Sequence, residues 1–228
     1  MTKLKLDTDR SSEAAEEPRR GRGRPQLRSD EETRALILEA ARREFAHSGY
    51  ATTSMENVAK GAGVSTRTLY RLLPNKATLF EAMVTQRIDD FVSVVRLRAC
   101  DGTDVEAQLT EALIVFADLI LDSEVIAIQR LILADSDKFP DIAETFFRKA
   151  IARTQETLAN WLRVQQKRGA ILLDDGDTAA GMLLGMLVFQ PQRSVMYAHL
   201  PPPTVEERKQ RAQACARLFL QGCRRSEQ

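Results

Sequence analysis

Glycine and proline are scarce in this chain of 228 residues, 11 and 8 respectively, and aromatic side chains make up only 6%. A turn-rich β sandwich or barrel needs more of all three, so helices are favoured. Cysteine is limited to three residues, Cys100, Cys215 and Cys223, an odd number without C-x-x-C spacing. That excludes a disulfide framework and a cysteine-based zinc site, and it suits free thiols. Only two histidines occur, His47 and His199. With no G-x-S-x-G, H-E-x-x-H or phosphate-cradling loop beside them, no catalytic or metal constellation is assembled, and neither an enzyme nor a cofactor is expected. No uncharged apolar run is long enough to span a bilayer, and the N-terminus lacks an apolar leader core. The reading is a cytoplasmic protein, associated with the nucleoid if it binds DNA, without a membrane partner.

Charge is present in quantity, at 29% of residues, and its placement is uneven although the formal net charge is +1. Residues 18–76 carry 12 basic against 6 acidic side chains, while both flanking segments are net acidic. A basic block of this kind is the footprint of a surface that meets phosphate, or else a solvated charge run. Its first part, Arg19 to Pro25, reads RRGRGRP. The Gly-Arg-Pro centre, with Arg22 and Arg24, is similar to an AT-hook that enters a narrow minor groove; a tail seeking phosphate without sequence preference is equally compatible.

Residues 1–28 have almost no apolar anchor and read as a disordered basic arm. Beyond them the pattern is helical nearly throughout, with about nine helices and no convincing strand. Ser29 caps a first helix to about His47, buried through Ile37, Ala41 and Phe45, and Gly49 ends it. Thr53 with Glu56 opens a short second helix, Gly63 turns, Ser65 caps a third, and Pro74 closes that one. Asn75 caps a fourth of about 25 residues, roughly 37 Å at 1.5 Å per residue. Later helices are expected from Thr103, Ser123, Pro140, Asp177 and Thr204, with Pro191 kinking or breaking the one before last.

Two short helices joined by a glycine turn over residues 53–76, TSMENVAKGAGVSTRTLYRLLPNK, form a helix-turn-helix whose second helix can lie in a major groove. A generic helical hairpin does not explain the polar, basic outer positions Ser65, Thr66, Arg67, Thr68 and Arg71. Thr53, Ser54, Ser65 and Lys76 lie at or beside helix starts, where phosphate oxygens find donors.

The run from Thr33 to Met83 resembles the DNA-binding region of the tetracycline-repressor (TetR) family of transcriptional regulators. Ile37, Leu38, Ala40, Ala41, Phe45, Gly49 and Tyr50 match its first helix, and Thr53, Ser54, Val58, Ala59, Gly63, Val64 and Ser65 its second helix and turn. Thr68, Leu69, Tyr70, Pro74, Lys76, Leu79 and Phe80 match the recognition helix and the start of the fourth. The resemblance implies Thr53, Tyr70 and Lys76 at backbone phosphates, and Thr66, Arg67 and Arg71 near base edges. Two positions depart from it: Arg67 replaces a common glycine, which changes what the helix reads, and Leu73 replaces an aromatic, which repacks the hairpin. Residues 130–147, RLILADSDKFPDIAETFF, are similar to a run in one subset of the family's C-terminal domains.

The expectation is therefore an all-α chain with an arm (1–28), a three-helix helix-turn-helix DNA-binding domain (29–77) and a helical ligand-binding and dimerisation domain (78–228). The resemblance implies a homodimer on a palindromic double-stranded operator, most simply a repressor released by a small apolar or aromatic effector. A DNA-architectural protein with little sequence preference is the alternative. Candidate cavity residues are Phe91, Phe116, Leu119, Ile120, Ile128, Leu131, Phe147, Trp161, Met182 and Met186. Candidate dimer-interface residues are Gly181, Gly185, Cys215, Leu218 and Phe219. Asp135, Asp137, Asp141 and Glu144 form an acidic cluster that reads as a solvated turn.

Overall fold

Polar residues at helix starts decide where this chain turns. In the computed structural model, which describes residues 28–98, 104–198 and 200–223, Ser29 Oγ accepts from Glu32 N at 3.1 Å while the Glu32 carboxylate accepts from Ser29 N at 2.8 Å. This reciprocal box opens α1 (Asp30–Thr52). The helix is interrupted at Gly49, where its sequence places an end. It bends there, with Gly49 at φ 79°, and resumes for one turn because Thr53 returns both its N–H and its hydroxyl to Gly49 O, at 3.2 and 2.6 Å. A Cβ on Gly49 would meet Leu131 only at an ordinary contact distance of 3.4 Å, so it is the left-handed φ that favours glycine.

Ser54, not Thr53, is the cap of α2 (Met55–Ala62), and Ser65 caps α3 (Thr66–Leu72). Between them Gly63 supplies the left-handed turn at φ 66°. Asn75 accepts from Thr78 N at 2.8 Å and opens α4 (Lys76–Arg98), whose 23 residues reach about 34 Å.

The C-terminal body holds α5 (Val105–Ile120), α6 (Ser123–Asp135), α7 (Pro140–Phe146), a π-helical turn (Phe147–Ala152), α8 (Arg153–Lys167), α9 (Gly176–Ala198) and α10 (Val205–Gly222). Asp104 and Asp122 cap α5 and α6 in place of the expected Thr103 and Ser123; an aspartate carboxylate is the stronger acceptor for orphan N–H groups. The backbone stays right-handed helical through both joints of the π turn. Thus α7, the π turn and α8 make one rod, and the described residues form nine rods without a strand.

Pro191 neither breaks nor ends α9. Proline deprives Leu187 O of its N–H partner, and Arg211 of α10 takes that place: its Nε donates to Leu187 O at 2.7 Å and its Nη2 to Met186 O at 2.9 Å. The expected box at Thr204 is formed with Glu207.

Two apolar cores result. The first gathers Ile37, Phe45, Val58, Leu69, Leu73 and Phe80 from α1 to α4, and it is completed by Ile128, Ile132, Ile142 and Phe146 from α6 and α7. Around Tyr50 the rings of Phe80 and Phe139 pack edge-on at 5.8 and 5.2 Å. The second core joins the far half of α4 to α5, α8, α9 and α10 through residues such as Phe91, Phe116, Leu158, Leu183 and Ala216. The helix-turn-helix unit is therefore sealed by the body behind it, and α4 belongs to both cores.

Candidate nucleic-acid interface and adjoining cavity

The third helix is pinned from below by Leu69, while Leu73 just beyond it is also fully buried. With those positions turned inward, Thr66, Arg67, Tyr70 and Arg71 are left exposed. Arg67 and Arg71 stand one turn apart on this outward face. Among the described residues Arg67 has no hydrogen bond or ion pair. The guanidinium of Arg71, by contrast, donates from Nη1 and Nη2 to the two carboxylate oxygens of Asp30, each at 2.7 Å. That carboxylate raises the Arg71 pKa above its ordinary value. Ser65 is committed at the helix start, accepting from Thr68 N at 3.1 Å and meeting the Thr68 hydroxyl at 2.8 Å. Ser54 likewise accepts from Asn57 N.

Two residues expected at phosphates are engaged within the protein. Thr53 is 3% exposed, and its hydroxyl faces Gly49 O rather than solvent. Lys76 is half-buried, and its Nζ donates to three main-chain oxygens at the end of α1: Tyr50 O at 2.7 Å, Ala51 O at 3.1 Å and Thr53 O at 3.1 Å. The ammonium also sits 4.7 Å from the Tyr50 ring centroid. Carbonyls at a helix C-terminus carry partial negative charge, so this lysine closes α1 onto the start of α4. Burial lowers its pKa, and burial raises that of Tyr50. Arg22 and Arg24 lie outside the described residues.

Behind the helix-turn-helix lies a cavity of about 290 Å3. Met83, Val84 and Ile88 of α4, Val125 and Ile128 of α6, Phe146 at the end of α7, and Leu184 and Val188 of α9 give it an apolar lining. At one side Arg42 of α1 pairs with Glu124 of α6, while the same guanidinium donates to Glu39 at 3.0 and 2.7 Å. A glutamine pair, Gln192 to Gln129 at 2.6 Å, forms another polar point of the wall.

The structure sorts the sequence-derived cavity candidates into three groups. Leu119, Ile120 and Ile128 line the cavity. Phe91 and Phe116, edge to face at 4.9 Å, lie in the second core together with Trp161, whose buried indole N–H has no acceptor among the described residues; Leu131 packs on Gly49. Phe147, Met182 and Met186 face outward, at 56%, 66% and 39% exposure. The reason is helical phase: on α9, residues 181, 184 and 188 point inward, and at about 100° per residue 182 and 186 lie roughly 130–170° away, on the opposite side. At the end of α7 Phe146 takes the inward place expected of Phe147. Sequence reasoning missed Arg42, Glu124, Gln129 and Gln192, for which no local signal exists because their partners lie on other helices.

The dimer candidates also separate. Gly181 lies on the cavity wall, where its Cβ would meet Gln155 Nε2 at 3.4 Å. Cys215 is buried and Phe219 packs half-buried on the second core, whereas Leu218 is 63% exposed and Gly185 has open space before it. Burial pushes the Cys215 and Cys223 thiols up. Among the described residues no group of three or more His, Cys, Asp or Glu could hold a metal ion, and no helix is long and apolar enough to cross a membrane.

Comparison with known proteins covers both parts of the chain. Residues 37–83 match the bacterial regulatory proteins of the tetR family, and residues 107–222 match the C-terminal domain of AefR-like transcriptional repressors. UidR, an HTH-type transcriptional regulator of Escherichia coli, is 26% identical over 153 residues, 67% of this chain and 76% of its own length. The transcriptional activator FasR of Mycolicibacterium smegmatis is 34% identical over 90 residues, 40% of this chain; the match spans 41% of FasR. Among solved structures, a TetR-family regulator from Mesorhizobium loti superposes with a TM-score of 0.74 at 28% identity, covering 86% of this chain and 98% of that one. The flavonoid-responsive regulator FrrA superposes with a TM-score of 0.61 at 27% identity over the same shares. An outward basic recognition helix, a body that seals it from behind and a match to the family over both parts lead to one assignment: the chain belongs to the TetR family of DNA-binding transcriptional regulators.

Proposed function

We propose that this chain acts as a two-fold homodimeric repressor that is released from a palindromic operator by a small, largely apolar or aromatic ligand. The observation that carries the reading is the composition of the cavity wall, where Arg42 of the helix-turn-helix unit pairs with Glu124 of the body. A ligand seated there touches both parts at once, and α4, which starts directly behind α3, forms a third side of the same wall. A cavity of about 290 Å3 lies at the small end of ligand sites, which suits a compact ring system better than a sugar phosphate with its several charges. The repressor description of the matched C-terminal domain and the flavonoid response in the name of FrrA support the same reading. Self-association is supported by α9, where Met182, Gly185, Met186 and Phe189 make an exposed stripe at helical spacing.

The direct test is selection of bound duplexes from a random pool, followed by titration of flavonoids and other aromatic compounds against the recovered site. Paired half-sites about one helical turn or a multiple apart are expected. A ligand that releases the operator must itself bind more weakly to the DNA-bound protein, by the same factor. Trp161 lies away from the wall, so ligand binding is followed by calorimetry. Recovery of unpaired half-sites, or ligand occupancy of the cavity without any change in operator affinity, would refute the reading.

A further inference from the structure

We propose that Asp30 is a specificity-determining residue, which holds the Arg71 guanidinium and so keeps a recognition-helix cation from binding phosphate indiscriminately. Arg67 and Arg71 share the outward face of α3, but they are treated differently by the fold. Arg67 is free of hydrogen bonds and ion pairs among the described residues. Arg71 meets a carboxylate 41 positions away in sequence, brought to the C-terminal end of that face by the first turn of α1. Two parallel bonds of 2.7 Å fix the orientation of the guanidinium as well as its charge.

Both side chains are about half exposed, 52% for Arg71 and 51% for Asp30, so the pair lies open to whatever the face meets. An ion pair this open adds little to folding, and a carboxylate beside a DNA-binding face by itself repels the duplex. A role in discrimination accounts for both features. Phosphates attract every free guanidinium regardless of sequence. Neutralising Arg71 therefore lowers affinity for random duplex and leaves Arg67 as the unpaired cation of that face.

The test is a double-mutant cycle in the full chain with Asp30→Asn, Arg71→Ala and the combination, on random-sequence duplex between about 50 and 200 mM salt. Asp30→Asn is expected to bind several-fold tighter, with a salt slope steeper by about 0.9, one additional phosphate contact. Both gains should vanish in the Arg71→Ala background. On a site recovered from the random pool, the preference over random duplex should fall several-fold for Asp30→Asn. An equal gain in the Arg71→Ala background would mean that only a repelling charge had been removed, and the proposal would fail. Weaker binding to both duplexes would make Asp30 a residue that presents Arg71 to DNA, the opposite role. Unchanged affinity with a lowered Tm would reduce the pair to a staple between α1 and α3. Absence of any duplex binding by the wild-type chain at low salt would overturn the proposal together with the DNA-binding assignment.

Discussion

Arg67 and Lys76 show how a residue's chemistry is directed by its immediate surroundings. Arg67 is exposed on α3 with no partner among the described residues, so its fork of donors is available to a guanine edge. Arg67→Ala is expected to cost about 1–3 kcal/mol on the selected site and to relax preference at one position per half-site. Equal losses on selected and random duplex, measured side by side, would instead place Arg67 at a phosphate. Lys76 has three carbonyl oxygens within 3.1 Å and an aromatic face beneath it. Its replacement by methionine keeps the stem but removes the bonds, and the expected loss is about 2 kcal/mol of stability, read as a fall of several degrees in Tm. A Lys76→Met variant with unchanged Tm and weakened duplex binding would return this lysine to the phosphate role implied by the family.

The elements are held by compensation at their weak points. Gly49 bends α1 and Thr53 repairs the bend; Pro191 removes a bond from α9 and Arg211 supplies another from α10. The second case has a measurable consequence. Arg211→Leu should destabilise the chain by about 1.5–3 kcal/mol, because a buried carbonyl loses a charged donor. Pro191→Ala restores an N–H to Leu187 O, so the same Arg211→Leu change should cost distinctly less in that background when both are followed by chemical denaturation. Equal costs in the two backgrounds would show that Arg211 acts through something other than the proline gap.

At the scale of the molecule, the helix-turn-helix and the body are joined by more than α4. Ile128, Ile132, Ile142 and Phe146 complete the N-terminal core, Tyr50 meets Phe139, and Arg42 meets Glu124. The body thus packs directly on α1, through α6, as well as being continuous with α4. Assembly belongs to the same scale. The stripe of Met182, Met186 and Phe189 is exposed, with Phe189 at 57%, and Arg193 stacks over the Phe189 ring at 4.7 Å. A charge placed there meets no interior side chain. Phe189→Glu should therefore raise the monomer fraction in sedimentation and weaken operator binding while leaving Tm of the monomer unit nearly unchanged; a dimer that persists would move the interface elsewhere.

Much of this protein is legible along the chain because its determinants are local. Capping at Ser29, Ser65, Asn75 and Thr204, the glycine turn at Gly63 and the apolar phase of α1 and α3 each involve residues within one or two turns of one another. They suffice for the all-helical class and for the helix-turn-helix, and the anchors in register suffice for the family. Only the tertiary structure decided what lies between elements. Thr53 and Lys76 turned to main-chain oxygens because the end of α1 left carbonyls within reach, which no spacing reveals. Arg71 met Asp30 across 41 positions, and the outward phase of Met182, Met186 and Phe147 followed from how α9 and the π turn were rotated against their neighbours. Helix periodicity states that a face is apolar, but whether that face meets a core, a cavity or solvent depends on the packing angle, and that is settled by all the helices together.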